Sequence, residues 1–178
     1  MLNRDETILL IEDDRVDIMT VQRALKKNKI SNPLHIARTG LEALSMLRGE
    51  DGFEKISPPP ALILLDLNLP KMSGIEFLRE LRSDSELNEL HIIVLTSSNE
   101  PKDRAAAFEY DVDDYIVKPH LLTNSPVRWL RFLRSGTEAG RNVAGGGLSS
   151  RPTKVDRVHK STLQTLVMGL EMISSYIG

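Results

Sequence analysis

Four places in this chain set a chemistry-bearing side chain at the point where an apolar run breaks off. Glu12-Asp13 ends TILLI, Asp66 ends ALILL, Thr96 ends IIVL, and Lys118 follows YIV. Two adjacent carboxylates facing a third repel one another, and a hard divalent cation relieves that repulsion. Donors that are all oxygen, without His or Cys, point to Mg²⁺. Asp66 is the natural nucleophile, because a carboxylate can attack phosphorus to give an acyl phosphate. The metal would neutralise charge on the transferring group, and Lys118 would add a mobile positive charge. The Thr96 hydroxyl could hydrogen-bond a phosphoryl oxygen. Each residue alone also has a plain structural reading: a helix-end charge, a cap, a packed hydroxyl, a surface lysine. Convergence at four run ends is what favours the chemical one.

These residues need elements that bring them together. Thr7–Ile11 and Ala61–Leu65 read as short strands buried on both faces. Leu34–Ala37, Ile92–Leu95 and Tyr115–Val117 are three more. Between them lie helical patterns: from Arg15 to Lys27 with a stripe of Val16, Met19, Ala24 and Leu25, flanked by Ile18 and Val21; then Leu41–Leu47, Ile75–Leu81 with Phe77, Leu78 and Leu81 inward, and a fourth from Pro101 to Glu109. Alternation of this kind predicts a parallel sheet with helices on both faces. Such sheets bind ligands at the carboxyl ends of their strands, near a topological switch point. Glu12, Asp13, Asp66, Thr96 and Lys118 would then share one rim.

Composition bounds the rest. The chain has 178 residues and no cysteine, which excludes disulfides, thiolate metal sites and Cys nucleophiles. No apolar stretch is long enough for a membrane span, so a cytoplasmic protein is expected. The net charge of -2 is unevenly spread. Residues 1–119 hold 22 acidic and 15 basic side chains, whereas residues 120–178 hold 3 and 8, along with 7 of the 11 glycines.

The segments ILLIEDD, LILLDLNLPKMSGIEFL, IIVLTSS and YIVKP, in this order, resemble the receiver domain of two-component response regulators over about residues 6–119. The likeness implies a flavodoxin-like, doubly wound five-stranded parallel sheet of (βα)5 type. It implies Asp66 as phosphoacceptor for a sensor histidine kinase, Lys118 as the phosphate-contacting lysine and Thr96 as the switch hydroxyl. Metal ligation would fall to Glu12, Asp13, Asp66 and the backbone carbonyl of Asn68. The Lys118-Pro119 bond is a candidate cis peptide. Tyr115 sits where the family carries a rotating aromatic, although a packed strand aromatic reads equally well. Asp14 is the less suitable ligand of the acidic run. The spelling LDLNLPKMSG and the stretch VLTSSNEPKDRAAAFEYDVDDYIVKP look like small regulators paired with bacterial phytochromes. Those are typically non-enzymatic single-domain proteins, some of them homodimers through the face made by the fourth helix, fifth strand and fifth helix (α4-β5-α5).

The likeness fades at His120. Residues 1–135 are read as the receiver, 136–153 as a glycine-rich linker and 154–178 as an amphipathic helix. The fifth helix is expected from 125–135, with Ser125 as cap and Pro126 at the first helical position; Lys154–Ile177 is the alternative. Arg128, Arg131 and Arg134 leave a DNA-binding tail open as a rival function, but the tail has little room for an output domain. A phosphatase of the haloacid dehalogenase type would need an acid two residues after its nucleophile, where this chain has Asn68. No glycine-rich loop follows the first strand, which argues against a Rossmann nucleotide site.

Overall fold

The computed structural model describes residues 6–27 and 29–118. They form β1 (Ile8–Ile11), α1 (Arg15–Lys27), β2 (Leu34–Ala37), α2 (Gly40–Arg48), β3 (Leu62–Leu65), α3 (Gly74–Ser83), β4 (Ile92–Thr96), α4 (Pro101–Phe108) and β5 (Asp114–Val117). All strand pairs are parallel, in the order β2-β1-β3-β4-β5. The order reverses at β1, which opens a crevice between the carboxyl ends of β1 and β3. Ile11 pairs with Leu65, so the next residues, Glu12 and Asp66, fall side by side. Thr96 pairs with Val117, which places Lys118 one step further along the same rim.

Every residue of β1, β3 and β4 is buried, as strands covered on both faces require. Alternate residues feed two cores. Leu9, Ile11, Ile63, Leu65 and Val94 pack with α2, α3 and α4 through Leu44, Phe77, Leu78 and Ala107. Ile8, Leu10, Leu64, Ile93 and Leu95 pack with α1 through Ile18, Val21 and Leu25.

Helix α1 turns a different face to the sheet than its apolar pattern suggests. Ile18, Val21, Ala24 and Leu25 are buried, whereas Val16 and Met19 are 61% and 39% exposed. Six apolar residues spread over more than half of the helix circumference, and the row that packs with β1 and β3 is the part of that arc that is buried.

The helix starts are built from local hydrogen bonds. Asp14 Oδ1 accepts from the Val16 and Asp17 amides at 2.7 and 3.0 Å, capping α1. Thr39 caps α2, and Ser73 with Glu76 forms a reciprocal capping box on α3. Arg82 ties the end of α3 to the far side of the sheet by donating to the carbonyls of Asn88, Leu90, Tyr110 and Asp111.

The expectations for residues 120–178 lie outside the described residues: the fifth helix in 125–135, the linker 136–153 and the helix 154–178. So does the proposed cis bond, because Pro119 is not described. Among the described residues, Ser57-Pro58 is the cis peptide.

Candidate functional site

The strand ends converge as the topology demands. Glu12 extends β1 by one rung, donating its amide to the Ala37 carbonyl, and its side chain is 1% exposed. Asp66 extends β3 in the same way through the Ile11 carbonyl and is 5% exposed. Lys118 extends β5, its amide bonded to the Thr96 carbonyl at 2.7 Å. Its ammonium donates to Glu12 Oε2, Asp17 Oδ2 and Asp66 Oδ2 at 2.5, 2.7 and 2.6 Å. All three N–H donors of the lysine are thereby used.

Asp66 Oδ1 accepts from the Asn68 amide at 3.0 Å, and Asn68 Nδ2 donates to Ser97 Oγ at 3.1 Å. The loops after β3 and β4 are therefore joined beside Asp66. That amide group is committed as a hydrogen-bond donor and offers no acid in the position a phosphatase of the rival type would need. Thr96 is fully buried, and its Oγ1 accepts from the Ser98 amide at 3.2 Å. Tyr115 is 2% exposed, with its hydroxyl donating to the Ser98 carbonyl at 3.2 Å. Arg104 stacks over the rings of Tyr115 and Phe108. In this conformation Tyr115 is a packed strand aromatic tied to the segment that follows Thr96.

Burial and charge together set the proton affinities. Burial raises the Glu12 carboxyl from its ordinary 4.5 to about 7, against the pull of the Lys118 ammonium. Burial opposes the charge on Lys118 as well. The hydrogen bonds it donates to Asp17, Asp66 and Glu12 outweigh it and hold the lysine above its usual range.

Of the residues singled out by sequence, the structure brings Glu12, Asp66 and Lys118 into direct contact. Thr96, Asn68 and Tyr115 lie on the strand ends and loops around them. Asp13 sits on the exposed rim, where its carbonyl accepts from Arg38 at 3.4 Å. The carboxylates with oxygens within 4.8 Å of one another are Glu12, Asp66 and Asp17. Asp17 was not anticipated. The signal was present as an acidic residue in the first turn of the helix following Glu12, but that position ordinarily serves the helix dipole.

A doubly wound sheet with two buried carboxylates, a bridging lysine and a buried hydroxyl at its carboxyl rim has the architecture of a receiver. The response regulator receiver domain family model matches residues 8–124, and the chain belongs to that family. It is 41% identical over 116 residues to Response regulator Rcp1 of Synechocystis sp., covering 65% of this chain and 78% of that protein. The crystal structure of Mn²⁺-bound Rcp1 superposes with a TM-score of 0.60 at 35% identity, covering 82% of this chain and 99% of the other. The phosphorylated cyanobacterial phytochrome response regulator RcpA gives 0.61 at 34% identity, over 75% and 91%. This chain is a response regulator with the phosphoacceptor role of two-component signalling, homologous to phytochrome response regulators. As a receiver it is a signalling domain with an acidic pocket and a histidine kinase as partner. Among the described residues no helix is long and apolar enough to cross a membrane.

Proposed function

We propose that Asp66 accepts the phosphoryl group, with Mg²⁺ held by Glu12, Asp13, Asp66 and the Asn68 carbonyl. The observation that carries this reading is the Lys118 ammonium bonded to Asp66 Oδ2 in a buried site at the switch point. An Asp66 oxygen attacks the phosphorus of a phosphohistidine whose other ring nitrogen carries a proton; the P–O bond forms, the P–N bond breaks with its electron pair going to the ring nitrogen, and neutral imidazole leaves. Bound Mg²⁺ would supply positive charge against the phosphoryl oxygens. The all-oxygen donor set suits such a hard cation, and the Mn²⁺ in Rcp1 supports the same reading. After transfer, the donor that Lys118 gives to Asp66 passes to a phosphoryl oxygen, and the Thr96 hydroxyl supplies another hydrogen bond. Tyr115, tied to Ser98, follows that movement and changes the surface around α4 and β5.

The kinase partner on this reading is a bacteriophytochrome, as the names of the relatives suggest. The protein would act in the cytoplasm, dimerise through α4, β5 and the fifth helix, and have no catalysis beyond its own phosphorylation and slow dephosphorylation. Acetyl phosphate with Mg²⁺ is expected to add one phosphoryl group, about 80 Da by mass spectrometry. Asp66→Asn is expected to abolish that gain, and labelling that survives the substitution overturns the assignment.

A further inference from the structure

Lys118 is held from two sides. Glu12 and Asp66 reach it from strand ends, with side chains 1% and 6% exposed, and Asp17 reaches it from the first turn of α1 at 2.7 Å. Helix capping does not require the Asp17 side chain, because Asp14 Oδ1 already accepts from the Val16 and Asp17 amides. The Asp17 carboxylate is instead committed to the lysine, and one of its oxygens lies within 4.8 Å of oxygens of both Glu12 and Asp66. A charge at that distance acts with opposite sign on the two species the site must hold. It attracts a divalent cation and repels a phosphoryl group carried by Asp66. It also occupies an ammonium donor that a phosphoryl oxygen could use.

We infer that Asp17 is a positioning residue of this site, holding Lys118 from the helix side and trading retention of a phosphoryl group on Asp66 for cation affinity. The assignment rests on the reading of Asp66 as phosphoacceptor. It concerns a residue outside the strand-end set, and the charge that residue brings is set by the sequence of α1.

The test uses the full chain as wild type, Asp17→Asn and Asp17→Glu. Mn²⁺ binding is followed by the electron paramagnetic resonance of the free ion, and beryllofluoride binding at saturating Mg²⁺ by titration calorimetry. Asp17→Asn is expected to weaken Mn²⁺ binding and to tighten beryllofluoride binding, each by roughly three- to tenfold. Asp17→Glu keeps the charge and is expected to stay close to wild type in both. A role confined to helix stability would lower the melting temperature with both constants unchanged, and that result overturns the inference. So does a loss of affinity for both ligands, or an Asp17→Glu variant that follows Asp17→Asn. Failure of the wild type to bind beryllofluoride, or binding that persists in Asp66→Asn, removes the phosphoacceptor reading itself. Normal wild-type binding with no Asp17 effect removes only the role of Asp17.

Discussion

A carboxyl group with 1% of its side chain exposed loses most of the hydration that stabilises its charge, and Glu12 shows the consequence. Its proton affinity rises from the ordinary 4.5 to about 7, so the folded protein binds that proton more tightly than the unfolded chain does. Stability without divalent cation should therefore fall as pH rises from about 4.5 to about 7 and level off above. Lys118 is shifted in the direction that stabilises the fold throughout this window, since its contribution disappears only at strongly alkaline pH. In chelator, unfolding free energies from urea titration are expected to decrease between pH 5 and pH 8, by at most about 3 kcal/mol. Glu12→Gln should flatten the profile, and saturating Mg²⁺ should oppose it by favouring the ionised carboxylate. A midpoint that climbs over the same range in chelator would contradict the assignment. Glu12, Asp66, Thr96 and Lys118 were legible in sequence because each ends an apolar run, and a parallel sheet brings such ends together. Asp17 was not, because its contact depends on the direction in which the first turn of α1 projects a side chain.

At the scale of elements, the loop between β3 and α3 begins at Asp66, and Gly74 sets how closely the helix approaches it. A Cβ added there would lie 2.6 Å from Leu67 Cα and 2.7 Å from the Asp66 carbonyl oxygen, both backbone atoms that cannot swing aside. Gly74→Ala should therefore push the start of α3 away from Asp66. The expected cost is about 1–3 kcal/mol in chemical denaturation, accompanied by slower labelling by acetyl phosphate. Unchanged stability and labelling would show that the loop is freer than its packing indicates. The sequence marked this helix start through Ser73-Gly74, and five strands and four helices fall where the alternation of patterns put them. The face of α1 did not follow in the same way. Val16 and Met19 were expected to point inward, but the row formed by Ile18, Val21 and Leu25 docks on the sheet. Val16 and Met19 widen the apolar arc of that helix beyond the row that docks, and the partner surface decides which part of the arc is buried.

At the scale of the whole molecule, the two faces of the sheet are covered unequally by the described elements. Helices α2, α3 and α4 contribute to one core, whereas α1 is the described helix in the other, which runs from Ile8 and Leu10 across to Ile93 and Leu95, with Ile116 packed against it. A single helix about 10 Å across cannot span five strands spaced about 4.8 Å apart. Helix α1 alone therefore does not cover the β4 and β5 side of that face. Each large aliphatic side chain left bare costs about 1.5–3 kcal/mol, so Ile93, Leu95 and Ile116 together represent much of the usual stability of a domain. A chain ended at residue 118 is expected to bind a hydrophobic dye and to lose most of its cooperative unfolding transition. A chain ended at residue 136, which retains the short segment after Ser125, should recover the full-length transition if that segment supplies the cover. Recovery only when residues 154–177 are also present would assign the fifth-helix position to the distal segment. A 1–118 fragment as stable as the full chain would mean that α1 and solvent suffice, and would overturn the argument from the sheet's width.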